Sequence, residues 1–169
     1  LSSIYNKAQQ YVAYGHRTSL SGRRCASALS TKESSVAITG ECFCGEIKYQ
    51  VVGKLRDARS CHCSRCRKAF SSQASAYALV EPCEFAWLSG EDLLTSFSSK
   101  YGYGLQFCRK CGSTLCGTYR GSIHGVTLGC VNGDPEIEIG KHIYVGSKAS
   151  WEIIPEGVTQ YDEGAPENA

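Results

Sequence analysis

Seven cysteines fall in three tight groups, Cys42-x-Cys44, Cys61-x-Cys63-x-x-Cys66 and Cys108-x-x-Cys111. Thiolates at such spacing suit a borderline-soft metal, zinc above all, because two sulfurs from one short turn can reach one ion. Chance makes some of these pairs: 11 cysteines in 169 residues predict about 0.7 pairs at each spacing. The chain has two of each, so local context must carry the rest. Gly45 and Gly112 directly follow Cys44 and Cys111, and glycine permits the left-handed backbone of a metal knuckle.

Geometry sorts the groups. In an extended C-x-C both side chains share one face, so Cys42 and Cys44 could grip an ion from one side. Cys108 and Cys111 could close the other side. Four thiolates at about 2.3 Å leave no coordination position free, which is the signature of a structural zinc. Joining Cys61 and Cys63 to Cys108 and Cys111 is also compatible with the spacing. In the first arrangement Cys61, Cys63 and Cys66 remain, with no evident fourth ligand. Three protein ligands and an exchangeable position are the pattern of catalytic zinc. Three thiolates make the metal a weak Lewis acid toward water but a good host for a soft thiol, held as the nucleophilic thiolate.

Arg65, Arg67 and Lys68 adjoin this trio. They could bind an acidic thiol substrate, or form no more than the solvated face of a short helix. His62 lies between two candidate ligands, so on an extended strand it points away from them and reads as a structural histidine. The bland alternatives for the thiols are buried or redox-active cysteines. Cys83, Cys116 and Cys130 stand in apolar settings and read as core residues; Cys25 has no evident partner.

The elements that must position these groups are mostly short strands. Ile47, Tyr49 and Val51 alternate with Lys48 and Gln50, the period of a half-buried strand. Ser75–Val80, Phe85–Leu88, His142–Val145 and Trp151–Ile154 read as further strands. Val126–Val131 is another, stopped by the turn signal Asn132-Gly-Asp-Pro135. Ser64–Phe70 is the one helix expected in the domain. The fold class is therefore mainly β, a single domain with little helix.

Composition bounds the rest. A net charge of +2 gives no whole-protein argument for a nucleic-acid or membrane partner, and no run of about 18 apolar residues occurs. The cysteine content is below the ~8–10% of a disulfide scaffold, and nothing resembles a secretory signal. An intracellular, cytoplasmic protein is expected. Residues 1–39 form a basic, acid-poor leader: the first 32 contain no acid but include Lys7, Arg17, Arg23, Arg24 and Lys32. It reads as a disordered tail or a mitochondrial presequence. With no methionine in the chain, Leu1 is not expected to be a translation start. Residues 165–169 read as a polar tail.

The ordered motifs resemble one family. They are Gly40-Glu-Cys42-Phe-Cys44-Gly-Glu-Ile-Lys-Tyr49, Cys61-His-Cys63-Ser-Arg-Cys66-Arg-Lys68, Phe107-Cys108-Arg-Lys-Cys111-Gly-Ser-Thr-Leu115, Val126-Thr-Leu-Gly129, His142-Ile-Tyr-Val-Gly-Ser-Lys148 and Trp151-Glu-Ile-Ile-Pro155. Together, over residues 40–164, they resemble the glutathione-dependent formaldehyde-activating enzymes, whose domain also occurs in centromere protein V. The resemblance implies a zinc-organised β-tent of short antiparallel strands and two zinc ions per chain. Cys42, Cys44, Cys108 and Cys111 fall on the structural-site positions. Cys61, Cys63 and Cys66 fall on the catalytic-site positions. It also implies a carbon–sulfur lyase that joins glutathione to formaldehyde as S-(hydroxymethyl)glutathione. The competing reading is a non-catalytic, zinc-folded binding module whose basic leader meets an anionic partner.

Overall fold

The computed structural model describes residues 37–166. The leader lies outside the described residues except for positions 37 to 39, and the polar tail is described only to 166. Two sheets carry the chain. A three-stranded antiparallel sheet has the order β1–β2–β5, formed by Ile38–Glu41, Lys48–Val51 and Phe85–Ser89. The second sheet has eight strands in the order β11–β10–β3–β4–β9–β8–β7–β6. In chain order its strands are β3 Arg56–Cys61, β4 Ser75–Leu79, β6 Leu94–Ser98, β7 Tyr103–Cys108, β8 Thr114–Tyr119, β9 Ser122–Thr127, β10 Lys141–Ile143 and β11 Gln160–Tyr161. Helix α1, Ser64–Phe70, is the one α-helix among the described residues, and neither sheet closes. No helix among them is long and apolar enough to cross a membrane. The chain is mainly β.

The core follows from strand alternation. Tyr49 and Val51 are fully buried on β2 while Lys48 is exposed. Tyr49 stacks on Phe85 with ring centroids 5.3 Å apart and meets Trp87 edge-on at 6.1 Å. Ile47, Leu55, Ala58, Ala78, Val80, Leu115, Cys116 and Val126 complete the cluster, with Cys42 and Cys108 set into it. Gly40 is required where Tyr49 crosses β1, since a Cβ there would overlap the phenol ring. The four-cysteine group is thus built into the apolar core rather than appended to it.

The sequence expectation fails at four places. The strand expected over His142–Val145 ends at Ile143, because Tyr144 takes a left-handed conformation and Val145–Ser147 tightens into a 3-10 turn. Trp151–Ile154 forms no strand: Trp151 and Ile153 are exposed and Glu152 is buried. The alternation is real but inverted, with the apolar side chains in solvent and the acid inside, so its period does not mark a sheet. Val126–Val131 leaves the sheet after Thr127, where Leu128–Cys130 tightens into a 3-10 turn. Cys83 is exposed in the 3-10 turn Pro82–Glu84 instead of packing in the core. Cys116 is fully buried and Cys130 half-buried, as their surroundings suggested.

The eight-stranded sheet has one departure from antiparallel pairing. β10 runs parallel to both β3 and β11, with Ile143 opposite Cys61 and His142 opposite Ser60. The C-terminal segment therefore lies directly along the strand that delivers the Cys61 group.

Candidate metal centre and adjoining cavity

The sulfurs of Cys42, Cys44, Cys108 and Cys111 lie within 4.8 Å of one another. Cys42 and Cys44 Sγ lie 3.4 Å apart, and Cys44 and Cys108 Sγ 3.9 Å. A tetrahedron with metal–sulfur bonds of ~2.3 Å has edges of about 3.8 Å, so the donor set fits a zinc ion. The two knuckles are built alike. Gly45 and Gly112 take φ of +74° and +78° immediately after Cys44 and Cys111. In each knuckle an amide closes back on a carbonyl at 2.8 Å, Gly45 on Cys42 and Gly112 on Cys108. The alternative grouping, Cys61 and Cys63 with Cys108 and Cys111, is not what the fold brings together.

Ser113 ties the knuckles to each other. Its hydroxyl accepts from the Phe43 amide at 2.9 Å and lies 3.4 Å from Cys111 Sγ. Burial raises the Cys111 pKa, but hydrogen bonds from the Ser113 side chain and backbone, with those of Cys44 and Cys108, together outweigh it and bring Cys111 down to about 6. Thiolate character at this position favours metal binding.

A second group gathers at the end of β3. Cys61 ends the strand, Cys63 caps α1 and Cys66 stands in the first turn of the helix. Their sulfurs also lie within 4.8 Å of one another, and no other Cys, His, Asp or Glu among the described residues joins them. The Cys66 amide donates to Cys63 Sγ at 3.4 Å, so the cap itself aims one sulfur. Side-chain hydrogen bonds from Cys61 and Cys66 hold the Cys63 thiol low, and the bond to Cys63 pushes Cys61 up. Three sulfurs this close share their protons unequally. The donor set suits a soft or borderline cation with one position open.

Side chains that the sequence reading passed over surround this group. Ser75, fully buried, stands opposite Cys61 in the β3–β4 ladder and lies against Cys66. Tyr77 is two residues further along β4, with the Arg59 guanidinium 5.9 Å from its ring centroid. Burial pushes the Tyr77 phenol up, Arg59 opposes that, and the three thiols add to the rise. Cross-strand register on β3 and β4 is the signal that would have found both, once Ser75–Leu79 was paired with Arg56–Cys61.

His62 points away from the thiols, as an extended C-H-C requires. Its ring is buried, with Nδ1 at 2.8 Å from Glu152 Oε1 and Nε2 at 2.8 Å from His142 Nδ1. The ring is turned toward Glu152 and His142 and is not among the groups gathered with the three sulfurs, so it does not serve as a fourth ligand.

The basic residues of α1 divide. Arg67 and Lys68, in its last turn, line a cavity of about 300 Å³ with Ser71, Ser72, Gln73 and the exposed Trp151. Arg67 Nη2 also donates to the Ser147 carbonyl at 3.3 Å, which fixes its direction. Arg65 is exposed and does not line that cavity; its charge acts on Tyr103, whose phenol burial pushes up and Arg65 pulls down. Ser71 caps the helix in the left-handed region and lines the same cavity.

Comparison with known proteins adds a family. A solved Rhodobacter sphaeroides protein is similar at 23% identity and a TM-score of 0.47, over 73% of this chain and 98% of that one. No curated protein matches the sequence. Residues 37–147 match the glutathione-dependent formaldehyde-activating enzymes. That span is most of the described chain and contains all seven clustered cysteines, so the protein belongs to the glutathione-dependent formaldehyde-activating enzyme family.

Proposed function

We propose that this protein is a zinc-dependent enzyme of the carbon–sulfur lyase type, which adds a small thiol such as glutathione to formaldehyde or a similar electrophile. The observation that carries the proposal is the group Cys61, Cys63 and Cys66, three clustered sulfurs with no fourth protein ligand among the described residues. Family membership supports the reaction class. In this reading Cys42, Cys44, Cys108 and Cys111 hold a structural zinc, and Cys61, Cys63 and Cys66 hold a second. Zinc at the second site would supply an exchangeable position and lower the pKa of an incoming thiol.

The chain's own residues then bind and orient. Arg67 and Lys68 place positive charge beside a site made anionic by three thiolates, and draw in a thiol that carries carboxylates. Trp151 offers an exposed ring at the mouth of the same cavity. In the overall reaction a sulfur–carbon bond forms, the carbonyl double bond is reduced to a single bond, and the thiol proton ends on the new hydroxyl. Holding both reactants against one protein wall contributes through proximity.

Metal analysis with thiol titration tests the proposal. Two zincs per chain are expected, one of them perturbed by glutathione. A single zinc that ignores thiols would overturn it.

A further inference from the structure

We infer that buried Glu152 and His62, with half-buried His142, form a clamp that positions the three-thiol group from behind, which makes each of them a positioning residue for its metal. The inference rests on the reading that Cys61, Cys63 and Cys66 hold a metal. His62 sits between two of those cysteines, so whatever holds its ring also sets the backbone twist on which both sulfurs ride. That ring is held at both ends, by Glu152 at 2.8 Å and by His142 at 2.8 Å, and it stacks on the His142 ring with centroids 5.0 Å apart. Nε2 and His142 Nδ1 share one hydrogen bond, while Nδ1 meets the Glu152 carboxylate in a close ion-pair contact rather than an aligned hydrogen bond. One hydrogen bond, one close polar contact and a stacked ring leave the imidazole a single orientation.

The clamp is anchored in turn. The His62 amide donates to the Ile143 carbonyl at 2.9 Å, and the His142 amide to the Thr159 carbonyl at 2.8 Å. The Glu152 amide donates to Ala149 at 3.1 Å, while Lys148 Nζ donates to the Glu152 carbonyl at 2.8 Å. Glu152 is only 4% exposed, and its Oε2 has no hydrogen-bond partner among the described residues. A carboxylate is costly to bury, and a well-packed apolar side chain would fill the same space at lower cost. What the apolar side chain could not do is fix direction. Groups that orient metal ligands from outside the coordination sphere matter to affinity about 10–100-fold, here through the peptide rather than through a ligand ring.

The test is graded chelator competition on the zinc-loaded full chain, with the cobalt-substituted protein as a spectroscopic check. The wild-type chain is expected to release zinc in two steps, the weaker one from Cys61, Cys63 and Cys66. Release of a single equivalent would overturn the three-thiol reading itself, and the clamp with it. Given two steps, Glu152→Ala should shift the weaker one by roughly tenfold or more and alter the thiolate-to-cobalt absorption of that site. The tighter step should stay put. Glu152→Gln, whose amide oxygen can keep the close contact with His62 Nδ1, should restore near wild-type behaviour. A wild-type weaker step in Glu152→Ala, or an equal shift of both steps, would overturn the clamp. If Glu152→Ala does not fold, His142→Phe keeps a stacked ring and removes the Nδ1 partner. It should shift the weaker step alone, and no shift would overturn the inference.

Discussion

The backbone amide of Phe43 donates to the hydroxyl of Ser113 at 2.9 Å, joining two cysteine knuckles across 70 residues of sequence. The same hydroxyl favours the Cys111 thiolate, so one small side chain both registers the knuckles and conditions a ligand. Ser113→Ala removes both effects. The Cys111 pKa then rises, and because binding requires the thiolate, zinc leaves this site at higher pH than in the wild type. Zinc release followed across an acid titration checks the direction. Stability should fall by about 1 kcal/mol.

The two sulfur groups should respond differently to loss of one ligand. Cys108 is fully buried in the core and Cys66 only partly buried. Cys108→Ser should prevent stable folding, whereas Cys66→Ser should keep the circular dichroism of the native chain and abolish turnover. Equal unfolding of both variants would contradict this division.

Gly40 has no room for a side chain under Tyr49. Gly40→Ala should cost about 1–3 kcal/mol by forcing the phenol or the strand aside. Denaturant unfolding with tyrosine and tryptophan fluorescence would show it, and zinc content should be little changed in the fraction that remains folded.

Lys68 is exposed in the last turn of α1 and lines the cavity. Lys68→Glu should raise KM for an acidic thiol several-fold, in line with ~1 kcal/mol for an exposed charge, and leave kcat nearly unchanged. The effect should shrink at high salt and be absent with an uncharged thiol such as 2-mercaptoethanol.

Much of this was legible in the chain itself, for local reasons. Helix α1 was readable over its full Ser64–Phe70 span, and Lys48–Val51, Ser75–Leu79 and Phe85–Ser89 through alternation or β-rich composition. β7 and β8 were not, because Gly104 and Gly117 dilute their pattern and neighbouring strands on both sides make them strands. The grouping of Cys42 with Cys108 was one of two that the spacing allowed, and it was the family resemblance that chose between them. The partnership of His62 with Glu152 had no such signal. An acid between an exposed Trp151 and an exposed Ile153 gives no local hint that it is the buried member of the three.

The parallel pairing of β10 with β3 also has a consequence for the order of events on the ribosome. Every residue of the four-cysteine group, with Ser113, has been synthesised 28 residues before β10 begins at Lys141. The hydrogen bond from His62 to Ile143, and everything Glu152 contributes, must wait for the last segment of the domain. A nascent chain can therefore have its first four sulfurs complete while the strand beside Cys61 is still missing.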